Sequence, residues 1–381
     1  MSLGRWGEVG VLAIARVSMG AQLQVVGALG PLLIGYLAAD WAALGTLIGA
    51  YSLAGIFVAL PAGWLLARAG DRLTLLGGVG LMALGGLLLA MAPNFPMALA
   101  GRLVSGTGGA LLTITGAKMV LDRFSGAGVA LAMGLMLMAW PFGIGLALLV
   151  LPLLGDNWRA GLWLSAGFCT LAFVLLWVAV RGARPGAAPA LRVGLLRHEW
   201  RPLIAIGVVW AGYNAAFAVA VGFTPSFLVA RGASHAEAGA LASLIGFSIL
   251  PLQPLGGAIA ERLGRPVLVT VACVLGMVTA LVATAGGAPA WLTLPAFGAL
   301  AAPPSSLIMA FAGRALSAES RAFGMGVHYM LFYLGLALLP PLAGLMRDIT
   351  GDPAAPLLTG AGFLAVSLTA LAVYVQAMRR D

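Results

Sequence analysis

The sequence predicts an all-α membrane protein of twelve transmembrane helices in two pseudo-symmetric six-helix bundles, and three observations carry that prediction. Of 381 residues, 61% are hydrophobic while Asp, Glu, Lys and Arg together reach only 9%, against roughly 25% in an ordinary soluble domain. The apolar residues come in runs of about 20 or more, long enough to cross a hydrocarbon core of about 30 Å at about 1.5 Å of rise per residue. Finally, a Gly- and Arg-containing stretch after the second run recurs after the eighth, 194 residues later, half the chain away. Soluble enzymes, fibrous repeats and disordered chains are excluded by this composition.

The runs lie at 9–36, 42–67, 73–92, 97–120, 128–153, 160–180, 202–229, 236–260, 267–286, 290–313, 322–346 and 356–378. In lipid only helices and closed barrels satisfy the backbone, and these segments are too long and too little alternated for barrel strands. The first run carries Arg16, continues past Pro31 and lacks a small-x-small cleavage site, so it reads as a retained span rather than a signal peptide. Connections are short. The longest polar break, Arg181–Arg201, is rich in Pro, Gly and Arg and divides a bundle over 1–180 from a bundle over 202–381, with 181–201 as a cytoplasmic linker.

The net charge of +9 would suggest nucleic acid in a soluble protein. Here the basic residues mark topology: sixteen fall in the loops and ends of one side, three (Arg159, Arg231 and Arg347) on the other, and Arg16 and Arg102 within spans. That bias predicts both termini in the cytoplasm and the chain in the cytoplasmic membrane. Cys169 and Cys273 lie in separate apolar runs, so neither a disulfide framework nor a metal site is expected. No cofactor is implied either.

The repeated stretches are Gly63-Trp64-Leu65-Leu66-Ala67-Arg68-Ala69-Gly70-Asp71-Arg72 and Gly257-Ala258-Ile259-Ala260-Glu261-Arg262-Leu263-Gly264-Arg265. They resemble the loop signature of the major facilitator superfamily, G-x-x-x-[DE]-[RK]-x-G-[RK]-[RK], found between its second and third helices and again between its eighth and ninth. Gly257, Glu261, Arg262, Gly264 and Arg265 match it well. The first copy has Gly63, Arg68, Gly70 and Arg72 but departs at Ala67, which takes the acidic place, and at Asp71, which takes a basic one. Asp71 is accordingly a candidate displaced partner for Arg72 or Arg123. Gly101-Arg102-Leu103-Val104-Ser105-Gly106-Thr107-Gly108-Gly109 resembles the family's fourth-helix pattern, and Trp140-Pro141-Phe142-Gly143-Ile144-Gly145 its fifth-helix motif. Arg16 followed by Gly30-Pro31-Leu32-Leu33 resembles the cyanate and nitroimidazole permease-like branch. The resemblance implies a monomeric secondary transporter working by alternating access, with the first, fourth, seventh and tenth helices lining its cavity.

Within spans, Arg16 and Arg102 are the residues most suggestive of function, since a charge in hydrocarbon needs water, a partner or a route to the interface. Facing a cleft they would favour a small organic anion or carboxylate, held by forked hydrogen bonds; otherwise they bind helix carbonyls or reach headgroups. Thr113 is about 20° round the fourth helix from Arg102, on the same face. Gln22 and Gln24 are about 200° apart, so at most one, taken as Gln24, shares the cleft. Trp210, Tyr213, Asn214 and Phe217 form one stripe of the seventh run, suited to a solute or simply to packing. Ser305 and Ser306 follow Pro303-Pro304, a pair expected to kink the tenth helix. His328, beside Tyr329, is a candidate for a coupling proton, with an interhelical hydrogen bond as the alternative.

Three rival functions remain in view. An exporter of drug-like hydrophobic compounds fits the 15 Met and the aromatics but not arginines facing the cavity. A membrane-embedded enzyme lacks a nucleophile–base pair, and a channel lacks charged rings or a carbonyl filter. Expected partners are thus a small solute, the bilayer and a coupling proton or counter-solute.

Overall fold

The computed structural model describes residues 4–37, 39–124, 127–180, 194–253, 255, 262–317 and 319–379. Its elements are α1 (Arg5–Ala28), α2 (Gly30–Leu37), α3 (Trp41–Ala90), α4 (Phe95–Arg123), α5 (Ala127–Val150), a 3-10 turn (Leu151–Asn157), α6 (Trp158–Ala179), α7 (Trp200–Ala230), α8 (His235–Ile249), α9 (Pro266–Ala285), α10 (Ala290–Arg314), α11 (Arg321–Thr350) and α12 (Ala355–Met378). Ten helical stretches among the described residues are long and apolar enough to cross a membrane, one of them joining α5 and α6. Large apolar side chains point outward, with Phe57 72% and Val178 76% exposed, the inverse of a soluble surface.

Three boundaries differ from the sequence reading. The first span breaks at Leu29, because Pro31 offers no amide to the helix, and continues as α2. The second and third spans are two helical stretches within α3 that meet without an intervening loop, at a kink on Gly70, where φ is 77 and ψ 166. That conformation is open essentially to glycine alone. The fifth span ends in the 3-10 turn rather than in helix. Elsewhere local chemistry sets the ends: Asn94 accepts from Met97 N ahead of Pro96, and Ser234 from Glu237 N.

The chain divides into two compact units, residues 1–39 with 50–188, and 40–49 with 189–381. Residues 40–49 thus go with the second unit rather than with the sequence around them. In the first unit α1 packs on α5, α6 and α4. It lies close on α5 because a Cβ on Gly20 would overlap the Trp140 carbonyl, and one on Gly143 the Val17 carbonyl; small residues permit such backbone contact in membranes. In the second unit α7 is central, against α12, α11, α8 and α10.

Candidate functional site

In the first unit the buried polar groups gather on α1, α3 and α4. Arg16 is 8% exposed. Its Nη1 donates to Thr113 Oγ1 at 2.6 Å and lies 3.8 Å from Met19 Sδ. Thr113 in turn donates to its own helix at Gly109 O, 2.8 Å. The two predicted residues are thus brought together, as a guanidinium held by a neutral hydroxyl.

Arg102 has the other setting foreseen for it. It is fully buried and donates from Nη1 to Gln22 O (2.7 Å) and from Nη2 to Leu23 O (3.0 Å), with its guanidinium 4.8 Å from the centre of the Tyr51 ring. Tyr51 reaches it because α4 is bare at Gly106 and Gly109, where a Cβ would strike the Tyr51 backbone or ring. Gln22 is tied down as well, Nε2 donating to Met82 O at 2.6 Å, and Gln24 is buried. Arg102 therefore clamps α1 to α4 through backbone carbonyls and does not share Arg16's surroundings.

The loop-motif residues of the first unit correct one expectation. Asp71 is 5% exposed and takes Lys118 Nζ at 3.0 Å on both oxygens, while Lys118 also meets Asp122 at 2.6 Å. Arg123 instead pairs with Glu8 at 2.6 Å, and Arg72 donates to Trp177 O at 3.1 Å and stacks on its ring. Lys118, not Arg72 or Arg123, is the partner of Asp71; its α4 position one turn from Asp122 was the available signal. Gly63 and Arg68 lie within α3. In the second copy Gly264 again has positive φ, 61, so both motif glycines serve turns other residues would strain. Arg262 and Arg265 flank that turn; Gly257 and Glu261 lie outside the described residues.

In the second unit the stripe on α7 meets α11. The Trp210 ring stacks on Tyr213 (5.6 Å, 13°), His328 (6.1 Å, 18°) and Phe332 (5.8 Å, 26°), with Tyr329 edge-on to His328. Tyr213 donates to Ala301 O, two residues before Pro303, tying α7 to α10. Asn214 donates to Trp210 O at 2.8 Å. Ser305 and Ser306 turn back on Ala302 O and Pro303 O of their own helix, at 2.7 and 3.1 Å. His328 is fully buried, yet neither ring nitrogen has a hydrogen-bond partner among the described residues, and Trp210 Nε1 has none either. Buried polar groups are normally satisfied, so this cluster is the second unit's clearest sign of a function.

Sequence reasoning missed Glu199. It stands just before α7 and accepts from Leu196 N (2.8 Å), Ser317 N (2.7 Å) and Ser320 Oγ (2.6 Å). Burial alone would raise its carboxyl, but those hydrogen bonds, led by Ser320, hold it down to about 2. It fastens the start of α7 to the α10–α11 loop.

Comparison with known proteins gives the family. The family model of the Major Facilitator Superfamily matches residues 12–293 and 212–380. The chain belongs to the Major Facilitator Superfamily. As a member it is a membrane-embedded transporter of small solutes, not an enzyme. A 2-nitroimidazole transporter of Escherichia coli (strain K12) is 30% identical over 226 residues, which span 56% of this chain and 56% of that protein. Among solved structures, the nucleoside transporter NupG superposes with TM-score 0.80 at 14% identity, covering 96% of this chain and 98% of that one. A D-xylose-proton symporter gives 0.78 at 15%, covering 97% of each. At such identities the superfamily's fold is what these structures share with the chain.

Proposed function

We propose that this superfamily member is a secondary transporter of a small organic anion or carboxylate, working by alternating access, with Arg16 as the solute-binding cation and Arg102 as a structural clamp. The observation that carries this reading is Arg16's setting: a charge inside α1, 8% exposed, donating to a neutral hydroxyl. A guanidinium held there can exchange Thr113 for a carboxylate, which accepts two parallel N–H bonds and neutralises the charge. Thr113 then keeps the site satisfied when no solute is bound. The coupling partner is a proton or counter-solute, and both termini lie in the cytoplasm.

The test is uptake of labelled carboxylates into proteoliposomes by the parent and by Arg16→Ala. The reading expects the variant to lose carboxylate uptake at least tenfold; equal uptake by both proteins would overturn it. A second reading is supported by the Trp210–His328 stack and by the nitroimidazole relative: the solute is a planar nitrogen heterocycle, ring against Trp210, with the imidazole of His328 as donor or acceptor. Under that reading His328→Phe, not Arg16→Ala, abolishes uptake.

A further inference from the structure

Within the first unit, at the end of the first span away from the N-terminus, lies a groove of about 520 Å³. Pro31, Leu32 and Gly35 of α2 line one side, and Asp156, Asn157 and Arg159 at the start of α6 line the other. Local sequence opens it. The first span breaks at Leu29 ahead of Pro31, and Gly155, at φ 52, lets the 3-10 turn bend into α6. At Gly35 the wall is bare, since a Cβ there would meet no atom within 4 Å.

Three planar groups stand together on this groove. The Tyr36 and Trp158 rings lie 5.4 Å apart at 58°, and the Arg159 guanidinium sits 4.2 Å from the centre of the first and 5.6 Å from that of the second. Leu33, Leu89, Ala98 and Leu162 back the rings, with a residual void of only about 10 Å³, so the platform under the cation is fixed. A cation held by ring faces spends none of its N–H donors on protein acceptors. Arg159 is exposed and forms no hydrogen bond or ion pair among the described residues. Asp156, three residues earlier on the same rim, is exposed and likewise unpaired among them, and the Asn157 side chain caps no amide of α6.

A guanidinium and a carboxylate that line one groove without pairing suit a ligand carrying both charges. The forked N–H groups take a phosphate bidentately, and the carboxylate takes an ammonium. Position adds the apolar part. Tyr and Trp gather at the membrane–water boundary, and beyond Arg159 the exposed stripe of α6 continues through Trp163, Leu171 and Val174. Between them Gly167 leaves another bare position, where a Cβ would meet nothing. An acyl chain can follow that stripe with its headgroup in the groove. Phosphatidylglycerol offers the phosphate without an ammonium, and phosphatidylcholine shields its nitrogen with methyl groups. We propose that the groove between α2 and the start of α6 is a binding site for phosphatidylethanolamine, with its phosphate on Arg159, its ammonium on Asp156 and one acyl chain along α6. The site is separate from the solute and from the direction of transport.

The test uses the full chain, purified and delipidated, titrated with dioleoyl phosphatidylethanolamine or dioleoyl phosphatidylglycerol. Native mass spectrometry reads the affinity of the first lipid bound. The parent should hold the ethanolamine lipid at least fivefold more tightly than the glycerol lipid. Asp156→Asn should bring the two within twofold, and Arg159→Gln should weaken both at least fivefold. Gly35→Leu keeps both charges and fills space that the protein leaves empty. It should weaken both lipids as Arg159→Gln does, while melting without lipid no lower than the parent. Glycerophosphoethanolamine, the same headgroup without acyl chains, should fail to displace the lipid in hundredfold excess. Equal affinities in the parent, a preference that survives Asp156→Asn, or undiminished binding by Gly35→Leu would overturn the proposal. Displacement by glycerophosphoethanolamine would make the groove a site for a water-soluble phosphate ester and overturn it as a lipid site.

Discussion

Arg16 and Arg102 lie in the same unit, on helices that touch, and both are buried, yet their guanidiniums are used differently. Arg102 is wholly enclosed and divides its donors between two backbone carbonyls and the face of Tyr51. Arg16 keeps a little exposure and donates to Thr113, a side chain that can turn away. A carbonyl belonging to a helix cannot be withdrawn without bending that helix, whereas the Thr113 hydroxyl already donates to its own Gly109 O and keeps that bond when the guanidinium leaves. Residue type and depth in the membrane are therefore poor guides to function; what matters is whether the partner can be exchanged.

The comparison can be broken first at Arg102. Arg102→Ala removes two charge-assisted hydrogen bonds and a ring contact, each bond worth about 1.5–3 kcal/mol. Thermal unfolding in detergent should show a loss on the order of 3 kcal/mol, and Arg102→Lys should not restore it, because an ammonium cannot reach two carbonyls and the Tyr51 face together. A variant that melts like the parent but no longer transports would move Arg102 into the solute site. Arg16→Gln should do the reverse: a melting shift equivalent to less than about 1 kcal/mol, with carboxylate affinity weakened at least tenfold, about 1.4 kcal/mol.

The paired motif glycines offer a smaller and graded effect. Gly70 has φ 77 and ψ 166 and Gly264 has φ 61; the first lies in a region open essentially to glycine, the second at a φ that other residues adopt at a cost of about 1–2 kcal/mol. Gly70→Ala should therefore destabilise more than Gly264→Ala, and both should lower the melting temperature. Smallest is the effect of acid on Glu199. Its folded value of about 2 lies below the usual glutamate value of about 4.3, so its contribution is fully present above that value and fades as pH falls toward 2. Parent and Glu199→Gln should differ in melting temperature at pH 7 and converge as the medium is acidified through that window.

Much of the fold was legible because hydrophobic run length maps directly onto helices in lipid. The expected spans at 97–120, 267–286 and 356–378 correspond to Phe95–Arg123, Pro266–Ala285 and Ala355–Met378. The two helices expected over 42–67 and 73–92 are both present within α3; what run length cannot show is the abruptness of their junction, a kink at Gly70 where the polar GDR stretch suggests a loop. The site was less legible. The spacing from Arg102 to Thr113 placed both on one face, but the rotamer of Arg102 turns it to α1 carbonyls while Thr113 goes to Arg16. Helical periodicity gives a face; it does not give the partner chosen across a helix contact. The Asp71–Lys118 pair and the Glu199 anchor are tertiary in the same sense, joining residues 47 and 118 to 121 positions apart.

The central claim, that Arg16 is the exchangeable cation of the solute site, is tested most directly by ligand-induced thermal stabilisation of purified protein. A panel of small carboxylates and of neutral nitrogen heterocycles would be titrated against the parent and Arg16→Gln, since a solute that binds the folded state raises its melting temperature by mass action. The account predicts that at least one carboxylate stabilises the parent and leaves Arg16→Gln unmoved. Stabilisation of both proteins to the same extent by the same compound, or of the parent by heterocycles alone, would contradict it.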